Sequence, residues 1–205
     1  MEKIDFKKEL KDLYQPSKSK FQVVEVPNLK FLKIDGRGDP NSAPEYIEAV
    51  EALYALSYKI KFLSKKEGRD YVVPPLEGLW WAEDMETFST ARDKSQWLWT
   101  MMIMVPDWIS DDMVAEARIE VEKKKDLPAL GKIRWEDYRE GLAVQILHLG
   151  SYDDEGPVLA RLHDNWMPEH GYTFNGLHHE IYLSDPRRVA PGKLKTILRQ
   201  PIRKI

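Results

Sequence analysis

Residues 176–185 read Gly-Leu-His-His-Glu-Ile-Tyr-Leu-Ser-Asp, and the interpretation of the whole chain turns on this stretch. Alternation makes it a strand, with His178, Glu180 and Tyr182 on one face and His179, Ile181 and Leu183 on the other. The Ile181 and Leu183 face suits a core. The opposite face sets an imidazole, a carboxylate and a phenol in a row. A carboxylate in mid-strand beside a large aromatic is either a satisfied edge residue or the polar anchor of a pocket.

Around this strand the chain divides into regular pieces. Residues 157–170 form a helical pattern, with Pro157 in its first turn and Gly171 past its end. Residues 141–149 form a strand, 150–155 a turn, and 194–201 the last strand, after a loop holding Pro186, Pro191 and Gly192. In the first half, 21–26 and 30–35 are short β-like runs broken at Pro27 and Asn28. A turn at Gly36-Arg37-Gly38 and candidate caps at Asn41 and Ser42 precede a long helix from Pro44 to about residue 66. Strands follow at 76–82 and 96–105, joined by a polar connection. Ser110-Asp111-Asp112 caps a further helix to about residue 125, with acids first and lysines last. Residues 128–138, with Trp135 and Tyr138, look like an irregular connector, and residues 1–20 like a partly frayed amphipathic arm.

The pieces repeat. Residues 31–36 correspond to 145–150, 76–84 to 177–185, and 99–106 to 194–201, each in the same order. That alignment sets Trp81 opposite Tyr182 and Leu79 opposite Glu180. The expected fold class is α+β: two strand-helix-strand-strand modules related by a pseudo-twofold axis, with a ligand cleft between the halves. The boundaries are an arm at 1–20, half one at 21–106, a linking helix and connector at 107–140, and half two at 141–205.

Composition narrows the function. The 205 residues are 42% hydrophobic and 32% charged, with a net charge of −3 and no basic stripe, so no nucleic-acid partner is expected. The absence of cysteine excludes disulfides, thiolate metal sites and cysteine nucleophiles, and fits a reducing compartment. The N-terminus lacks the apolar core of a secretory signal, and the longest apolar run, 97–106, is too short to span a bilayer. A cytoplasmic location with no membrane partner is expected. Neighbouring His178 and His179 point to opposite faces, and the other histidines lack ligand spacing, so neither a metal nor a cofactor is expected. Seven Trp and nine Tyr exceed what a core of this size needs.

Three blocks, in order along the chain, carry a resemblance. Ile146-Leu147-His148-Leu149-Gly150-Ser151-Tyr152-Asp153-Asp154-Glu155-Gly156-Pro157 is similar to the strand-to-helix signature of GyrI-like small-molecule-binding domains. His178-His179-Glu180-Ile181-Tyr182-Leu183-Ser184-Asp185-Pro186, followed by residues 194–202, resembles the C-terminal signature of their stand-alone bacterial branch. The resemblance implies two modules sharing a cleft in which a glutamate, here Glu180, binds planar organic cations among aromatic rings. The tyrosine of its Gly-x-Tyr turn matches Tyr152. One subfamily hydrolyses the strained cyclopropane of DNA-alkylating compounds. The chain has no helix-turn-helix of the family's regulators, so a free-standing binder, sequesterer or detoxifying enzyme is implied, with a hydrophobic aromatic small molecule as its partner.

Such a cleft needs π-faces and a negative group. Trp81, Trp135, Trp166, Tyr152, Phe174 and Tyr182 are the aromatic candidates, joined by His178 and Leu79. Any single Trp among them is equally a core residue. Glu180 serves either as an ionised anchor for cations or, half-desolvated, as a base drawing a proton from water. Tyr152 or Tyr182 would then hold the water or the ligand oxygen. Glu77 is a second, more solvated carboxylate, and Asp153-Asp154-Glu155 is assigned to helix capping.

Overall fold

The computed structural model describes residues 3–84 and 93–205; most of the polar connection expected before residue 96 lies outside them. The first half runs β2 (Gln22–Arg37), α3 (Pro44–Lys66), β4 (Leu76–Trp81) and β5 (Leu98–Val105). The second runs β6 (Arg134–Leu149), a helical segment, β8 (His178–Tyr182) and β9 (Lys195–Lys204). That segment comprises α5 (Gly156–Ala160), a π-helical turn at Arg161–Trp166 and α6 (Met167–Glu169). Between the halves lies α4 (Asp111–Glu122), where Ser110 Oγ accepts from the Met113 amide at 3.2 Å.

The strands pair in the order β6-β2-β5-β4-β8-β9, and β9 pairs back onto β6, closing a six-stranded antiparallel barrel. Corresponding strands meet across the halves: β2 pairs with β6, and β4 with β8. This is the α+β duplication expected of the repeat. Closure removes the sheet edges that an open arrangement would leave unpaired. A short strand, β7 (Tyr172–Phe174), adds to the end of β9.

Alternation divides every strand between two environments. On the outer face, Leu32, Ile34, Trp99, Met101 and Ile103 pack under Ala49, Leu53, Leu56 and Ile60 of α3 and under α4. The α3 residues recur at three- and four-residue spacing, so one stripe of the helix is buried. Emptying one such site, as in Leu53→Ala, costs about 2–5 kcal/mol. On the inner face, Phe31, Leu79, Met102 and Met104 form one cluster, and Ile181, Ile197 and Ala143 another.

Three sequence expectations change. Residues 22–37 are one strand: Pro27 is tolerated because β5 pairs with β2 only from Lys30 onward. The connector carrying Trp135 and Tyr138 is the start of β6, in register with β2 through Leu32 opposite Trp135. Its charge-rich sequence is held by Lys33 against Glu136 at 2.9 Å and Arg134 against Asp35 at 2.8 Å. The second half therefore begins at Arg134 rather than residue 141. The arm is not frayed. It forms β1 (Lys3–Ile4), paired with β3 (Asp70–Tyr71), then α1 (Phe6–Glu9) and α2 (Lys11–Tyr14). Leu13 and Tyr14 are buried among the inner residues.

Candidate functional site

The β4–β8 pair makes the floor of a cleft of about 1440 Å³ on the outer face of the barrel. One wall is α3, through Tyr46, Val50 and Tyr54; the other is the start of α5, through Tyr152, Glu155 and Leu159. Directly opposed residues of antiparallel strands share a face. The register sets Leu76 against Tyr182, Gly78 against Glu180 and Trp80 against His178, and these alternate residues form the floor.

At its centre the polar groups are chained. The Trp80 indole N–H donates to Tyr182 Oη at 2.9 Å, and Tyr182 donates to Glu180 Oε2 at 2.7 Å. Gly78 makes this possible: a Cβ there would fall 2.8 Å from Trp80 Nε1 and 3.1 Å from Tyr182 Oη. Rings surround the chain. Trp80 stacks on Tyr46 at 6.4 Å and meets Trp97 edge-on at 5.9 Å, and Tyr152 meets Tyr182 edge-on at 5.7 Å.

A second carboxyl faces Glu180. Glu155 is 5% exposed, and its Oε1 has no hydrogen-bond partner among the described residues. Burial, reinforced by the negative charge of Glu180, pushes the Glu155 carboxyl up to about 10, so it holds its proton at neutral pH. Burial and the same charge raise the Tyr152 phenol to about 12 and keep Tyr182 protonated. The cleft thus presents a proton donor, a carboxylate and two phenols within aromatic walls.

Of the residues singled out in the sequence, Glu180, Tyr182, Tyr152 and His178 meet in this cleft. Trp81 does not: it packs with Leu79 in the inner cluster of Phe31, Met102 and Met104. The alignment of 76–84 with 177–185 is out by an odd number of residues, which exchanges the two faces, and Trp80 is the tryptophan of the cleft. Leu79 is opposite His179 for the same reason. Trp135 donates to Asp111 Oδ1 at 2.8 Å, tying β6 to α4. Trp166 lies in a separate stack, 4.2 Å from His170 and 5.9 Å from Tyr172. Phe174 is half exposed and touches His163 at 5.0 Å.

Sequence reasoning missed Trp80, Tyr46 and Glu155. The available signal for Glu155 was its place directly before Gly156-Pro157, where the chain turns back over the strand that carries Glu180. The Glu77 reading also changes. Glu77 is 1% exposed on the inner face, where its Oε2 is 2.9 Å from His179 Nε2 and its Oε1 accepts from Tyr14 at 2.8 Å. His179 Nδ1 is 2.8 Å from Glu140, which also accepts from Arg199 at 3.1 Å. Burial alone would discharge His179, but Glu140 and Glu77 outweigh it and raise the imidazole to about 9.

The sequence matches the family described as GyrI-like small molecule binding domain over residues 19–203. The chain belongs to that family. A crystal structure of an uncharacterized conserved protein from Listeria innocua is 39% identical, with a TM-score of 0.89, and the match covers 98% of this chain and 100% of that one. A hydrolase from the same organism is 38% identical over the same shares, with a TM-score of 0.86. The C-terminal domain of EcmrR, 13% identical over 91% of this chain and 98% of its own, shares the fold with a TM-score of 0.53. No curated protein matches the chain.

Proposed function

We propose that this protein is a hydrolase that takes planar aromatic molecules into the cleft and opens an activated cyclopropane by adding water. The feature that carries the reading is the pair of facing carboxyls: Glu155 is buried with an unpartnered Oε1, and burial and the charge of Glu180 raise its affinity for a proton. Such a pair separates acid and base roles at one pH. Water adds to a cyclopropane carbon, and the carbon–carbon bond breaks toward a conjugated carbonyl. The carbonyl oxygen takes the Glu155 proton, and the surplus proton of the water passes to Glu180. Transfer from Glu180 to Glu155 across their contact then restores the starting state. The aromatic walls hold the flat ligand and keep out bulk water. Relatives at 38% identity described as hydrolases support the reading.

A second reading has its own observation. A carboxylate among Trp80, Tyr46, Tyr152 and Tyr182 also suits a bound organic cation, so the cleft would sequester such molecules without chemistry. Glu180→Gln and Glu155→Gln separate the two. For the hydrolase, either change lowers turnover of a spiro-cyclopropane dienone by roughly 10²–10⁴ while a neutral aromatic still binds. For the sequesterer, Glu180→Gln weakens cations alone, and the unaltered protein leaves the dienone intact.

A further inference from the structure

Tyr182 donates to Glu180 Oε2, which leaves the Oε1 side of the carboxylate to explain. On that side His178 Nε2 is 3.3 Å from Oε1, but the ring does not direct a hydrogen bond at it: both nitrogens of His178 are buried with no such partner among the described residues. Behind it stands His163, its ring centroid 6.5 Å from that of His178 and its planes nearly perpendicular at 84°. His163 Nε2 is likewise buried and without a partner. A buried donor or acceptor left unmade costs about 1–3 kcal/mol, and three on two touching side chains is more than a packed core retains without cause.

The backbone around them points the same way. His163 lies within the π-helical turn Arg161–Trp166, the one departure from α-helical winding in that segment among the described residues. A π-turn inserts a residue and swings its neighbours round, a distortion that recurs at functional sites. Here it carries His163 over β8, against Phe174 on one side and His178 on the other. Burial, with His178 beside it, lowers the His163 imidazole to about 4, so at neutral pH it is an uncharged group that both donates and accepts.

We infer that His178 and Glu180 together hold the water that attacks the ligand, with the His163 ring packed edge-on behind His178 and holding it in place. This rests on the hydrolase reading and gives that reaction its missing geometry. Tyr182 occupies one oxygen of the base, and the attacking water takes the side of the other that faces His178. The water donates one hydrogen to Glu180 Oε1 and is steadied by a His178 nitrogen, its lone pair then directed into the cleft. As it adds to the ring carbon, its proton goes to Glu180, as in the step above. His178 holds the nucleophile and takes no proton, so the balance is unchanged.

Two measurements test it. The first is a crystal structure of the unaltered protein at a resolution that shows ordered solvent. The expected result is a water within hydrogen-bonding distance of both a His178 nitrogen and Glu180 Oε1. A His178 ring bonded instead to protein groups, with no water there, overturns the inference. The second is turnover of a spiro-cyclopropane dienone by His178→Phe and His178→Gln, with the melting temperature as the measure of an intact fold. The expected result is a loss of roughly 10²-fold in His178→Phe, the cost of a misplaced nucleophile. The melting temperature should stay close to that of the unaltered protein, and His178→Gln, which keeps a polar group, should recover part of the rate. His163→Ala, which removes the ring behind His178, should lower kcat for the dienone and leave its KM unchanged. Unchanged turnover in His178→Phe overturns the inference and leaves the hydrolase reading standing. A water at His178 in a protein that turns over no cyclopropane compound removes the hydrolase reading, and with it the assignment of that water as nucleophile.

Discussion

At the scale of single residues, Glu155 carries the sharpest consequence. A carboxyl whose folded pKa lies near 10 is favoured by folding only below its unfolded value, and it costs stability as pH rises toward 10. Glu155→Gln removes that cost, keeps the shape and supplies an N–H to Glu180. Its melting temperature should rise near pH 8, by an amount equivalent to about 1–3 kcal/mol, while turnover is lost. Thermal melts and product assays on one preparation check both. Trp80→Ala should weaken a planar ligand by about 2 kcal/mol or more, because it removes part of the floor and the Tyr182 partner together. Trp81→Ala should lower the melting temperature and leave that affinity alone, as titrations followed by ligand fluorescence would show. These residues also mark the limits of sequence reading. Alternation placed His178, Glu180 and Tyr182 on one face because that pattern is local. Choosing between Trp80 and Trp81 required the β4–β8 register, which no local pattern contains.

At the scale of elements, β8 links two chemistries. Its even-numbered residues form the cleft floor, while His179 and Ile181 face the barrel interior. There His179 joins Glu77, Glu140 and Arg199 to the arm: Arg199 donates to the Leu13 carbonyl at 2.7 Å, and Gln145 to that of Asp12 at 2.6 Å. Tyr14→Phe takes one donor from Glu77 and should cost about 1–3 kcal/mol in urea unfolding. A cost near zero would mean that the arm merely rests on the barrel. Helix α4 was legible from its Ser110 cap and α3 from its periodicity, although the N-cap of α3 is Ala43, without a side-chain cap, rather than Asn41 or Ser42. The arm and the start of β6 were not, since both are charge-rich and become ordered only through partners far along the chain, such as Glu77 for Tyr14 and Leu32 for Trp135.

At the scale of the whole molecule, the duplication builds the cleft and the closed barrel holds a charged network at its centre. The network gives stability a pH signature. His179, raised to about 9, contributes fully below the unfolded value of about 6.5, and that contribution fades as pH rises through 9. In Glu140, burial works against the charge, but His179 and Arg199 prevail and hold the carboxyl at about 2. Its contribution is complete above an unfolded value of about 4.5 and is lost as pH falls toward 2. Melting temperature should therefore be highest between about pH 4.5 and 6.5. His179→Gln should flatten the alkaline limb. The two-module architecture was visible in the sequence because the order of elements repeats. The carboxyl pair was not, because Glu155 and Glu180 come together only when α5 folds back over β8. That pair is the centre of the account, and infrared titration observes it directly, whatever the natural ligand. The account predicts a protonated carboxyl band that persists at about pH 8, well above the usual carboxylate range, and is missing in Glu155→Gln. A protein whose carboxyls are all ionised above about pH 6 would contradict it, since the cleft would then hold no acid.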